Sequence, residues 1–197
     1  MNTDINELVA EIRRLQNELE MRWEALRQQF QYTLDGHKVR FAEEVRRLHQ
    51  RYRVGLLSYL GDTPPLHFLT APVIYAMAAP LLTLDLALLI YQQICFRAYG
   101  IRRVRRSDYL VIDRHHLNYL NGIEKFNCMY CGYANGLMAY AQEIVAQTEQ
   151  FWCPLKHASR IHGAHNRYSD FADYGDAEVY RARLAELREH LRQENEP

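Results

Sequence analysis

Net charge is the first thing this chain lacks. Lys+Arg and Asp+Glu number 24 each, for a formal charge of +0. The global basic excess that nucleic-acid binding leaves on a composition is therefore missing. Cysteine is also scarce, with four in 197 residues, too few for a small secreted disulfide scaffold. The opening residues, Met1-Asn-Thr-Asp-Ile5, have neither a basic flank nor an apolar core, which reads against a secretory signal. Internal repeats and low-complexity runs are absent. A mean hydropathy of -0.40 excludes a polytopic membrane protein and leaves room for one membrane segment. The expected setting is cytoplasmic and reducing, where a CxxC marks metal or redox chemistry more often than a structural disulfide.

What is present divides the chain in three: an amphipathic helical or coiled-coil region over 1–60, a membrane-inserted segment over 61–100, and a helical Cys/His domain over 101–197. The expected class is mostly α. Ile5, Leu8, Ile12, Leu15 and Leu19 alternate steps of three and four, a heptad seam. Arg22 interrupts it, and Trp23, Leu26 and Phe30 continue a shifted stripe. Asp35-Gly36 predicts a break before a second stripe of Val39, Phe41, Val45, Leu48 and Tyr52. The region reads as a helical hairpin packing on its own chain, or as a coiled coil that dimerises.

Gly61-Asp62-Thr63-Pro64-Pro65 then breaks the chain ahead of its most apolar part. Between Phe68 and Phe96 the only formal charge is Asp85, and that length exceeds the ~20 residues that span a bilayer core. Pro72 and Pro80 interrupt it. Basic residues flank both ends: Arg46, Arg47, Arg51 and Arg53 before, and Arg97, Arg102, Arg103, Arg105 and Arg106 after. Lys/Arg excess marks the cytoplasmic side, so the flanks predict an apolar membrane-inserted helical hairpin bent near Pro80, with re-entrant or interfacial insertion on even terms with a single crossing and a soluble core hairpin third. Asp85, costly at depth, should be protonated, paired or close to the interface. The arginine run predicts attraction to anionic headgroups. Cys95 reads as a small buried residue, with palmitoylation as the weaker option.

The chemistry concentrates in the last third. Cys128 and Cys131 form a CxxC, and Cys153 and His157 follow as Cys153-Pro-Leu-Lys-His157. Together they are a Cys3His set, a common closed zinc arrangement. An apolar stripe from Leu137 to Phe151 predicts a helix over 134–151, and a continuous helix of that length would hold Cys131 and Cys153 apart. The set then requires a break near Asn135-Gly136, ligands shared between chains, or two separate sites. A second grouping follows if a helix over 115–126 folds back on 134–151 around the CxxC. His115 and His116 would then lie level with Glu143 to Glu149 and close on His162 and His165. Histidines with carboxylates suit iron as well as zinc. A thiol-redox role for the CxxC stands behind metal binding. Tyr109-Leu-Val-Ile-Asp113 predicts a short strand, and Asp176 predicts the N-cap of a final helix striped by Val179, Leu184, Leu187 and Leu191.

Three runs carry a resemblance: Val104-Arg-Arg-Ser-Asp-Tyr-Leu-Val-Ile-Asp-Arg-His-His116, Cys128-Met-Tyr-Cys-Gly-Tyr-Ala-Asn-Gly136, and Glu149-Gln-Phe-Trp-Cys-Pro-Leu-Lys-His157. Over roughly residues 40–185 the chain resembles a group of uncharacterised bacterial membrane-associated proteins. The resemblance implies a bacterial source and membrane association, and no activity. The expectation is a scaffold or accessory subunit on the cytoplasmic face of the inner membrane. It contacts lipid, self-associates or joins a membrane complex, and binds zinc structurally. The alternative is a membrane-bound iron or thiol-redox enzyme acting on a lipid or quinone.

Overall fold

A computed structural model describes residues 2–30, 32–35 and 38–193. The chain is mostly α, as composition and periodicity predict. It forms two compact units, and each takes two stretches of chain. Unit 1 is Met1–Asp62 with Asp113–Met129; unit 2 is Thr63–Ile112 with Tyr130–Pro197.

Unit 1 opens with α1, Asn2–Gln29. The side chains of Ile5, Leu8 and Ile12 in the predicted seam lie outside the described residues, as does Gly36. The helical hairpin expected at Asp35-Gly36 gives way to a β-hairpin. Strands β1, Tyr32–Asp35, and β2, Lys38–Phe41, pair antiparallel, with Tyr32 opposite Phe41 and Asp35 opposite Lys38. The physical reason is local. Asp-Gly between aromatic and β-branched residues is a hairpin signal before it is a helix breaker. Tyr32 packs on Phe41, Phe41 on His49 of α2 (Glu43–Arg51), and His49 on Tyr119, with ring centroids 5.0–5.6 Å apart. This aromatic string ties the hairpin, α2 and the 113–121 stretch together. Helix α3 is Leu56–Asp62.

Unit 2 is organised around the apolar segment. Helices α4, Pro65–Ala76, and α5, Ala78–Tyr91, a π turn at Gln92–Phe96, and α6, Arg97–Tyr99, follow one another as one helix from Pro65 to Tyr99. This corrects the expected hairpin. Pro80 removes one backbone donor and crowds Ala76, and the helix answers by tightening at Met77, whose N–H bonds back to Ile74 O. The prolines perturb the helix and do not reverse it. It ends at Gly100, φ 70°, with Ile101 N–H on Phe96 O and Gly100 N–H on Arg97 O. That closes the orphan carbonyls in a Schellman pattern.

From Ile101 an extended strap runs back along this helix. The strand expected at 109–113 is absent; the strap carries two short 3-10 turns. Helix α7, Gly122–Trp152, then runs unbroken through the CxxC. Asn121 starts it. Its Oδ1 accepts from the N–H groups of Ile123 and Glu124, and Glu124 Oε2 accepts from Asn121 N–H, a reciprocal capping box. The hairpin of 115–126 on 134–151 therefore does not form. Leu88, Phe96, Ile101, Leu137, Tyr140, Ile144, Phe151 and Leu191 build the core of unit 2. Helix α8, Ala177–Gln193, buries Leu187 and Leu191. Asp176 Oδ1 accepts from Val179 N–H at 2.9 Å, the expected cap.

Candidate functional site

The Cys/His segment is spread along unit 2 by α7. Cys131 and Cys153 are twenty-two positions apart, all but the last helical, so the two thiols are separated by about 33 Å at 1.5 Å per residue. Asn135-Gly136 is no break. Asn135 Nδ2 donates to Cys131 O within the helix, and a Cβ on Gly136 would stand 2.7 Å from Tyr109 O and 2.9 Å from Leu110 Cα. This glycine is where the strap crosses α7 at backbone contact. The four thiols are free. Among the described residues no three of His, Cys, Asp and Glu are grouped to hold a metal ion. One chain does not close a Cys128, Cys131, Cys153, His157 site around one ion.

The CPxxH has another use. Pro154 is fully buried, and Ala172 N–H donates to its carbonyl at 3.0 Å. Lys156 N–H donates to Ala172 O at 2.8 Å, and Lys156 Nζ reaches Asp173 at 3.0 Å. His157 N–H donates to Tyr168 Oη at 2.6 Å, with the two rings stacked. Cys153 and His157 themselves point to solvent. The motif thus zips the exit of α7 to the loop that precedes α8.

That loop also carries the expected histidines. His165 Nε2 lies 2.9 Å from Glu149 on α7, and its ring packs against Tyr168 and Phe171. Nearly two turns earlier on α7, Glu143 accepts from Arg167 Nε at 3.0 Å, and Gln150, next to Glu149, accepts through Oε1 from Arg167 Nη1 at 3.0 Å. His162 is exposed. His115 and His116 sit together in unit 1, ring centroids 4.0 Å apart. Of the predicted histidines, His165 is the one seated against a carboxylate on α7. Beside Glu143 and Arg167 opens a polar cleft of about 780 Å³, walled by Tyr109, Gln150 and the Arg183–Gln193 side of α8. Burial and then the Glu143 charge push the Tyr109 phenol above the ordinary tyrosine range.

The second polar system is the face that helix Pro65–Tyr99 turns inward. Asp85 receives a two-pronged grip from Arg106, Nε at 3.2 Å and Nη2 at 2.7 Å, plus the Tyr133 hydroxyl at 3.0 Å. The Asp85 contact is the first cause of a raised Arg106 pKa. Two turns on, Gln92 donates to Tyr140 Oη and accepts from Val104 N–H. Burial pushes the Tyr133 and Tyr140 phenols up. The expectation that Asp85 is protonated, paired or interfacial resolves as paired. Its partner lies inside the arginine run that reads only as a lipid-facing cluster in sequence. The outward face is the reverse. Eleven large apolar residues between Leu66 and Ile94 are exposed.

No protein-family model, curated protein or solved structure matches the chain.

Proposed function

We propose that this chain is a membrane-associated scaffold or accessory protein on the cytoplasmic face of a bacterial inner membrane, with helix Pro65–Tyr99 as its lipid contact. One observation carries the reading. Asp85 and Gln92 face the protein, while Leu82, Leu86, Leu89, Ile90 and Ile94 face out. A helix folded for water has the opposite polarity. Contiguous exposed apolar surface of this extent is unusual on a soluble monomer and calls for lipid or a partner. The helix is 35 residues long, with a mean hydropathy of 2.1 over its apolar window. Absence of charge between Phe68 and Phe96, apart from the paired Asp85, favours lipid. Within the run at 102–106, Arg106 is taken up by Asp85 and Arg105 pairs with Asp108; Arg102 and Arg103 supply attraction to anionic headgroups, about 1 kcal/mol each near the surface.

Zinc enters this proposal in the forms an unbroken α7 leaves: thiolates contributed by more than one chain, or the CxxC and CPxxH acting apart. Metal analysis of the purified protein tests both. Zinc near one per chain that is lost in Cys131→Ser and equally in Cys153→Ser supports a site shared between chains; zinc lost with one of these variants and kept with the other supports separate sites. No bound zinc, with every thiol titrating freely, removes zinc from the proposal.

Cell fractionation tests the membrane reading. The protein should sediment with membranes, resist a salt wash, and come off in detergent. Leu86→Glu/Ile90→Glu/Ile94→Glu, all at exposed positions, should move it to the soluble fraction. Release of the unaltered protein by salt alone would sink the apolar contact and leave only the arginines.

A further inference from the structure

We infer that helix Pro65–Tyr99 does not cross the bilayer. It lies in the membrane plane within one leaflet, and α7 shares the lipid-facing surface with it. This rests on the membrane reading above and adds orientation, depth and a second lipid-contacting helix.

The first argument is topological. Unit 1 is assembled from chain on both sides of the helix, Met1–Asp62 before it and Asp113–Met129 after it. A folded unit stays on one side of a membrane. The chain that leaves unit 1 at Asp62 must therefore come back to the same side by Asp113. One crossing by the helix would oblige residues 100–112 to cross back. That stretch is irregular, with one 3-10 turn at Arg106–Asp108, and carries Arg102, Arg103, Arg105, Arg106 and Asp108. Irregular backbone exposed to hydrocarbon does not occur, and each charge at depth adds several kcal/mol. A re-entrant dip is closed off as well, because the helix is one piece of about 52 Å, with no reversal at Pro80.

The second argument concerns depth. The strap packs beside the C-terminal half of the helix. Val104 meets Gln92, and Arg106 meets Asp85. The side chains of Arg105, Arg106 and Asp108 are 68%, 43% and 48% exposed. These hydrated charges stand near the middle of the 35 residues, where a transverse helix would have its hydrocarbon midplane. With the helix flat, they stand on the side away from the lipid.

The third argument extends the surface. Tyr91 Oη and Thr148 Oγ1, 2.9 Å apart, mark where α5 and α7 touch. On α7, Val145 and Trp152 flank Thr148 a turn to either side and are exposed, as is Met138 two turns from Val145. Ile90 on α5 and Ile94 in the π turn flank Tyr91 and are exposed too. The apolar surface thus continues across the seam between helices. Trp152 packs edge-on to Tyr99, and both residue types favour the headgroup level.

The occupant is an anionic phospholipid leaflet. The test is flotation of the full chain, carrying Trp23→Phe so that Trp152 is the sole tryptophan, with phosphatidylcholine/phosphatidylglycerol vesicles. Lipids brominated at shallow or deep acyl positions report depth. Epitopes at the two ends, read in intact and opened spheroplasts, report sidedness. Co-flotation, stronger quenching of Trp152 by shallow bromines, both ends on the cytoplasmic side, and binding about tenfold weaker in Val145→Glu support the inference. Co-flotation with the ends on opposite sides, with deep quenching, or with unchanged binding of a folded Val145→Glu overturns it and leaves the membrane reading standing. No flotation removes the membrane reading and the inference together.

Discussion

At Gly136, two effects of a single methyl group oppose each other. Alanine is worth up to about 1 kcal/mol over glycine inside a helix. Against that, the new Cβ would meet strap backbone at 2.7 and 2.9 Å, and such overpacking costs about 1–3 kcal/mol or more. Backbone cannot rotate out of the way as a side chain can, so the clash wins. Gly136→Ala should lower thermal stability, while Gly122→Ala, with open space at its Cβ, should be neutral or stabilising in the same melts. Arg106 poses the second residue-scale question. Arg106→Gln leaves Asp85, buried along most of its side chain, with the Tyr133 hydroxyl as its remaining described partner. Breaking a buried pair costs about 3–5 kcal/mol, and access of water to Arg106 puts the expected loss nearer 2. Asp85→Asn/Arg106→Gln should recover part of it. A double variant less stable than Arg106→Gln alone would mean that the pair is not what holds the strap. Neither contact was readable from spacing, since each joins residues more than twenty positions apart in sequence. Asp85 stood out as the lone charge in an apolar run, and nothing in the run named which of the arginines answers it.

The elements were legible where a local rule acted without a rival. Asp176 capped its helix as expected, and α8 turned Leu187 and Leu191 inward. Where two rules competed, either a stronger local signal or tertiary context decided. Asp-Gly served a β-hairpin and not a helix break. Asn-Gly in α7 looked like a weak point, yet its glycine is a docking notch. The CxxC looked like a turn, although Tyr130 and Tyr133 beside it fasten α7 to Ile74 O and to Asp85. Helix α7 also carries a pH dependence. Tyr133 and Tyr140 titrate above the ordinary tyrosine value because burial disfavours the phenolate. The folded chain then holds protons that the unfolded chain has released. Stability is complete below the unfolded value, about pH 10, and falls as pH rises through the folded values. Tyr140→Phe should flatten that alkaline decline, read as melting temperature against pH alongside tyrosinate absorbance. A decline of unchanged slope would assign it to other groups.

At the scale of the whole molecule, the proposed lipid contact leaves a second exposed apolar surface to account for. Helix α1 and the residue after it leave Leu15 and Leu19 of the seam, and Trp23, Leu26 and Phe30 of the shifted stripe that continues it, between 43% and 52% exposed. A helix of 28 residues gains most of its stability by covering such a stripe. In-plane membrane helices carry an excess of Lys and Arg on their polar face. Here six acidic residues face four arginines, a net of -2, and an anionic leaflet repels that. Ion pairs of Arg14 with Glu11 and Glu18, and of Arg22 with Glu18, tie up flanking charges within the helix. The partner that fits is the same stripe on another copy, packed at heptad spacing. The chain should therefore run as an oligomer in light scattering, and Leu15→Asp/Leu19→Asp should return it to a monomer with reduced helicity. The same variant bears on the metal. If thiols from two chains share zinc, the monomer should lose zinc along with its partner, although every cysteine is intact. Zinc retained by the monomer would assign the metal to a single chain, and an unaltered chain that runs as a monomer would leave the α1 stripe without the partner argued for it.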